Sequence, residues 1–584
     1  MIELVVGGLL VIVVMLGVLG VVGFLGGRGA TTDFTLATRR PRTLFLGAAV
    51  TGEYVSAMTV LGLASLVFAE GFGTAWVFTA STLGYLLVAA FVVAPLRRAG
   101  VYSHADFAEW RLGSRGIRRT VSLCVVVIGW ILLVSQYIAA GLLVRVFTGL
   151  PEWLGWIAAA VVTLPPALLA AGGSSSRFQA MSLWFKLVAV GVPAVVLLVL
   201  WQSHGGKKVD ADTTPVLHAD TVVRVDRDQP LRVAEPTRVA IVGDGEGGRE
   251  HVWTVLEPGV HQIRAGTVML FEAGAAVPHH GGLTPLHGGD WADLGVTCGL
   301  THGEEWEDKG VVDGLLHGYS VYLTLALGII GMPQFVARFH STPSPRTARR
   351  LVVLMAALSA VFALLALVYA GLGRVYAGAL LITGETDLLV LELPRLMAPG
   401  PLGTGLGLLL GAGVASAVVT VSIGFVSAMG GTISQCVPGR GVWAYRVGTV
   451  VSAVVPLALL AAVPGLSREG LVEVVLAALE LGAVTIAPLL LLGIWWGGLT
   501  GAGAAAGLAT GIAGIAAARA GEISGPLGVP VADTLMYHPA LGLVPLVFGV
   551  MVGVSLLTRG RLRGDAAAVL ARMHLPGSVT GRRL

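Results

Sequence analysis

The sequence predicts an all-α integral membrane protein of about thirteen transmembrane helices, with a small β-rich lobe inserted outside the bilayer. Composition is the first ground. Apolar residues make up 55% of the 584 and charged residues 12%, against about 25% charged in a soluble domain. The second ground is a series of apolar runs of about 20 residues, the length that crosses a bilayer. The third is that two of these runs are interrupted at mid-depth, while one polar stretch between them alternates as strands do.

The runs fall near 3–25, 44–70, 74–96, 119–146, 153–172, 179–201, 316–339, 349–373, 404–435, 446–464, 470–496, 498–518 and 538–557. The first lacks the basic leading region and the small-residue cleavage site of a signal peptide, and is read as a retained span. Arginines set the orientation. Arg28, Arg39, Arg40 and Arg42 follow the first span, and Arg97, Arg98, Arg111, Arg115, Arg118 and Arg119 lie between the third and fourth. Arg346, Arg349, Arg350, Arg440 and Arg446 fall in further alternate loops, and the tail from 558 carries six more. All share one side if the amino terminus is outside, so the positive-inside rule predicts N-out, C-in, in the cell membrane.

The connector RRAGVYSHADFAEWRLGSRGIR (97–118) reads as a short amphipathic surface helix, starting near Ser103 or His104 and ending near Gly113. LLVLELPRLMAPG, within 375–400, reads as another interfacial helix. Residues 202–315 hold 18 acidic against 9 basic residues, and 221–273 alternate apolar and polar positions between Gly, Pro and Asp punctuation. Eight histidines fall there, His279, His280, His287 and His302 among them, in no zinc-like spacing, and no metal is expected. Of the three cysteines only Cys298 lies in this polar stretch, which leaves no disulfide framework.

The interrupted spans carry the functional reading. In FLGAAVTGEYVSAMTVLGLASLVFAEGF (45–72), Gly47, Thr51, Gly52 and Gly62 weaken the helix, and Glu53 sits at the weak point. A carboxylate at mid-membrane depth costs roughly 2.5–3.5 kcal/mol on insertion scales and marks an ion or substrate path. In GYSVYLTLALGIIGMPQFVARFHS (318–341), Gly328, Gly331 and Pro333 make the second break. Two such spans point to a transporter with its site between them.

GEYVSAMTVLG (52–62), RAGVYSHADFAEWRL (98–112) and GIIGMPQFVARF (328–339) resemble the sodium:solute symporter family, most closely its cation/acetate, short-monocarboxylate branch. The resemblance runs over about 34–515, apart from the insertion. It implies a core of two inverted five-helix repeats, each opening on a broken helix. The divisions are then an extra helix and loop at 1–33, a first repeat at 34–201, the insertion at 202–315, and a second repeat at 316–497. Two further helices at 498–557 and a basic tail at 558–584 complete the chain.

The resemblance also implies the sites. A cation would be held by Gly52, Val55, Thr420, Ile423 and Gly424; where sodium-coupled sugar transporters of the family carry two adjacent hydroxyls, this chain has Ile423 and Gly424, leaving Ser422 or Ser427 to turn inward. Substrate candidates are Thr51, Glu53, Thr59, Ser81, Tyr319 and Gln334. The expected function is uptake of a small organic anion, such as acetate, propionate or pyruvate, coupled to Na+ or H+, with no cofactor beyond that cation, no enzymatic activity and no nucleic-acid partner. The alternatives are a symporter-like sensor module and a symporter for another small solute. Lys186, about two turns inside the sixth span, either snorkels to the interface or approaches the hydroxyl-poor cation site, and with Glu53 it is the coupling candidate.

Overall fold

A computed structural model describes residues 43–169, 175–206, most of 216–280, 310–334, 342, 344–435, 441–524 except 464 and 469, and 539–575 except 563. The predicted span at 3–25 and the segment 281–309 lie outside the described residues. Described helices fall within each predicted span from 44–70 onward. Among the described residues nine helices are long and apolar enough to cross a membrane, a bent pair makes a tenth, and Glu152–Leu168 and Gly318–Gly331 are shorter apolar helices.

The bent pair is the first broken span. Helix α1 (Thr43–Tyr54) and the half running from Met58 to Glu70, which ends as α2 (Leu63–Glu70), meet at 74°. Helix α3 (Thr74–Ala99) follows, then α4 (His104–Leu112), α5 (Arg115–Thr148), α6 (Glu152–Leu169) and α7 (Ser175–Ser203). Past the insertion come α8 (Gly310–Gly328), α9 (Pro345–Tyr376), the short α10 (Gly378–Thr383) and α11 (Leu389–Met397), then α12 (Pro401–Ser434) and α13 (Val442–Ala462). Helices α14 (Leu471–Trp495), α15 (Gly501–Ser524), α16 (Pro539–Leu557) and α17 (Ala566–His574) complete the order.

Small residues let these helices approach. At Gly52 an added Cβ would collide with the carbonyl oxygen of Gln179, so α1 crosses α7 backbone to backbone. Helix α8 gives way to a 3-10 turn over Ile329–Gly331, after which Met332 is extended (φ −64°, ψ 129°), as the residue before Pro333 must be. Gly331 lies against Gly482 of α14, where a side chain would have no room. Helix α12 is buried along most of its length, which its run of Gly, Ala and Ser allows.

The connector helix is not a surface helix. Ser103 caps α4, its Oγ accepting from the Asp106 amide, and Gly113 closes it at φ 68°. His104, Phe107 and Arg111 are nevertheless buried. Arg111 donates to the carbonyls of Gly493, Trp496 and Gly497, filling the unsatisfied end of α14. Burial lowers the His104 pKa to about 4, so its ring is neutral beside the Ile330 carbonyl, 3.3 Å from Nε2. The described part of the tail packs too: Arg98 donates to the carbonyls of Met573 and His574, and Met573 is buried.

Residues 221–280 form two antiparallel sheets. Strands β1 (Thr221–Arg224), β2 (Gln229–Val233), β3 (Thr237–Gly245), β4 (Gly248–Leu256), β5 (Gly259–Ile263), β6 (Val268–Phe271) and β7 (His279–His280) are ordered β1-β6-β3-β4 and β5-β2-β7. Alternate residues Val223, Leu231, Val233, Val239, Met269 and Phe271 face the lobe's core. The lobe rests on α10, where Gly378 leaves room for Leu217 and Val277. Beyond α10 a 3-10 turn, Thr386–Leu388, reaches both broken-helix and scaffold elements: Ser65 Oγ donates to Thr386 Oγ1 (2.7 Å), and the Leu471 amide donates to Asp387 (3.0 Å).

Because Gly52 is where α1 and α7 touch through their backbones, Gly52→Ala is expected to force them apart. The thermal midpoint of the detergent-purified variant should fall by an amount corresponding to about 1–3 kcal/mol, the usual effect of overpacking; an unchanged midpoint would show that the crossing is loose.

Candidate functional site

The break in the first span begins as a hydrogen-bonding event. In an unbroken helix the amides of Ser56, Ala57 and Thr59 would close onto the carbonyls of Gly52, Glu53 and Val55. Here they turn elsewhere. Ser56 N donates to Thr59 Oγ1 (3.3 Å), Ala57 N to Gln136 Oε1 (3.4 Å), and Thr59 N to Ser56 O (3.1 Å). The carbonyls they leave behind need other donors at a depth where water is scarce.

Lys186 supplies two of those needs. Its Nζ lies 2.6 Å from Gly52 O, 3.0 Å from Val55 O and 2.8 Å from Thr420 Oγ1, so each of the three N–H bonds of an ammonium has its own acceptor. Thr420 passes its own proton to Ser416 O at 2.7 Å. Lys186 is wholly buried and does not snorkel. Glu53, also buried, attracts the lysine charge. Its carboxylate and Cγ lie against Gly424, where even a methyl group would collide with them.

On the other side of the break lies a cavity of about 90 Å³. Glu53, Tyr54, Ser56 and Thr59 of the broken span, Ser81 and Tyr85 of α3, Ser135 and Gln136 of α5, Gln334, Ser359 of α9 and Phe425 of α12 contribute to its lining. Tyr54 and Tyr85 meet edge to face at 6.4 Å between ring centres. The cavity is mainly apolar, with a ring of amides and hydroxyls, and Glu53 is its one carboxylate.

The predicted residues distribute as follows. Gly52, Val55 and Thr420 converge on the Lys186 ammonium. Ile423 is buried and brings no side-chain oxygen, while Gly424 makes room for Glu53. Ser422 and Ser427 keep hydroxyl oxygens that are buried without a hydrogen-bond partner among the described residues. Glu53, Thr59, Ser81 and Gln334 line the cavity. Thr51 does not; its hydroxyl donates back to Gly47 O on its own helix (2.8 Å). Tyr319 is 62% exposed on α8, away from the lining. The reading from sequence missed Gln136, Ser135, Tyr54, Tyr85 and Ser359; the polar pair Ser135–Gln136 inside an apolar span was the available signal. Among the described residues no three metal-ligating side chains converge.

A helical bundle organised on a broken span, with its freed carbonyls, a hydroxyl, a lysine and a carboxylate beside a buried cavity, is a fold shared with the substrate-bound, outward-open state of a Na+-coupled sialic acid symporter, at TM-score 0.59 and 12% identity over 95% of this chain and 97% of that one. The model of the Sodium:solute symporter family matches residues 34–175. "Uncharacterized symporter YwcA" of Bacillus subtilis (strain 168) is 32% identical over 104 residues, 18% of this chain and 20% of the relative. An uncharacterized symporter of Cupriavidus necator is 30% identical over 180 residues, 30% of this chain and 26% of that one. The matched stretch thus spans about a fifth to a quarter of these curated relatives. These similarities are to transporters, not to enzymes.

Gly424 gives a direct test of the charge pair's geometry. Gly424→Ala is expected to push the Glu53 carboxylate from its place and to lower solute uptake at least about tenfold, a shift of about 1.4 kcal/mol. Membrane expression should stay near that of the parent; uptake equal to the parent's would mean that Glu53 tolerates displacement.

Proposed function

We propose that this protein is a secondary active symporter of the cell membrane. It takes up a small organic anion, a short monocarboxylate such as acetate, propionate or pyruvate, by alternating access, and it couples that uptake to inward movement of a proton carried at Lys186. The observation behind the coupling is the set of three oxygens around Nζ, drawn from Gly52, Val55 and Thr420. The family resemblance assigns those same positions to the coupling cation, and here an ammonium of the chain sits among them.

The chemistry follows from the contacts. A charged Lys186 ties the broken span to α12 through Thr420 and leaves Glu53 balanced. Loss of its proton on the inner side, after the loaded protein has reoriented, removes one of three donors and the attraction to Glu53, which favours release of the anion and return of the unloaded broken span. Glu53 carries a negative charge at the cavity wall, so an arriving anion is tolerated only while Lys186 holds its proton. One proton with one monoanion is electroneutral, and such transport answers to the pH gradient rather than to voltage. The small size of the cavity supports a solute of few heavy atoms.

Uptake of labelled acetate, propionate and pyruvate into proteoliposomes, with sodium and pH gradients imposed separately, tests this reading. The wild type is expected to accumulate at least one of them under the pH gradient alone. Lys186→Gln should abolish that accumulation while leaving solute exchange in place. Strict dependence on sodium at constant pH, with Lys186→Gln unchanged, would return Lys186 to a structural role.

The orientation belongs to the same proposal, with the amino terminus outside and the tail inside, as supported by the arginine distribution. An impermeant thiol reagent applied to intact cells is expected to label Cys298 and to spare a cysteine placed at Arg346. The reverse pattern would invert the topology.

A further inference from the structure

The amide of Ala57 lies in the break between Ser56 and Met58, both of which line the cavity. It is held by Gln136 Oε1 at 3.4 Å, a long bond, and the other end of the same side chain donates from Nε2 to Ser135 Oγ at 3.0 Å. Gln136 is 1% exposed and lines the cavity. Across the cavity Gln334 is 2% exposed, and its side-chain oxygen has no hydrogen-bond partner among the described residues. Because that oxygen holds no partner, the Gln334 amide can turn its NH2 toward an acceptor in the cavity without giving up a bond made by the oxygen.

These facts fit together if the empty site is closed on itself. We infer that Gln136 is the residue that selects for a carboxylate: its amide oxygen holds the place on Ala57 N that the substrate carboxylate takes on binding. When the anion arrives, one carboxylate oxygen accepts from Ala57 N. The Gln136 amide turns so that Nε2, now an extra donor, faces the anion, and Gln334 presents its own NH2 from the opposite wall. Ser135 Oγ, which donates to Leu132 O at 2.8 Å, remains the anchor that limits how far Gln136 swings. An amide fits this exchange because it carries an acceptor for the empty state and a donor for the loaded state on one rotatable bond.

The inference rests on the monocarboxylate reading above, and the experiment separates the two. Acetate uptake is measured in proteoliposomes across a range of pH for wild type, Gln136→Glu and Gln136→Met, and the ratio of each variant's KM to that of the wild type is taken at each pH. The glutamate keeps the acceptor for Ala57 N and the size of the side chain but meets the anion with a negative charge. Its KM ratio is expected to be at least about tenfold at pH 8 and to fall toward the methionine value by about pH 5, as the carboxyl becomes protonated. Glu53, Tyr54 and Tyr85 line the same cavity in all three proteins, and the neutral Gln136→Met variant serves as the reference for the glutamate.

A Gln136→Glu ratio that tracks that of Gln136→Met at every pH overturns the inference and leaves Gln136 as a packing residue. If the glutamate variant does not reach the membrane, Gln136→Met carries the test alone: inhibition of acetate uptake by acetamide, relative to propionate, should strengthen severalfold, and an unchanged ratio overturns the inference. A wild type with no saturable uptake of acetate, propionate or pyruvate overturns the monocarboxylate reading itself, and this one with it.

Discussion

The contact of the Lys186 side-chain nitrogen with two backbone carbonyls and one hydroxyl is the joint on which this structure depends. A lone buried charge is costly, and a half-satisfied one more so. The break in the first span supplies Lys186 with two carbonyls that no helical amide takes up, and Thr420 supplies a third oxygen. The dependence is mutual. Without the lysine, Val55 O would lose this donor and Gly52 O would keep only the longer contact from Thr420 Oγ1 (3.3 Å); without the break, the lysine would lose both carbonyls. Gly52 permits the close crossing of α1 on α7 that brings the two together, and Gly424 leaves space for the carboxylate that balances the charge.

How much of this was legible in the sequence depended on whether a residue's role is set by its own span or by a neighbour. The interruption at Gly52–Ala57 was visible because it breaks a pattern within one segment, and the anomaly of a lysine inside an apolar helix was visible for the same reason. Tyr319 and Thr51 were placed in the candidate set by the sequence neighbourhood alone. Position on the helix surface separates them from the cavity: Tyr319 is out of phase with Leu325, Ile329 and Met332, which line it, and Thr51 satisfies its hydroxyl on its own backbone.

The connector at 97–118 shows the opposite limit. Its charged residues read as solvated, but Arg111 is drawn inward by carbonyls at the end of α14, more than 380 residues later in the chain. Likewise Gln136 owes its importance to an amide freed in another helix. Nothing within either residue's own segment reports such partners. Pairings across the bundle emerge only when the helices are assembled.

The β lobe adds a consequence of a different kind. It touches α10, α10 leads directly into the Thr386–Leu388 turn, and that turn is bonded to Ser65 on the second half of the broken span and to the first amide of α14. A folded β domain is thereby joined by a short chain of contacts to the element lining the cavity. It is a handle: a rigid binder gripping the lobe would bear on the half-helix through this linkage without entering the cavity.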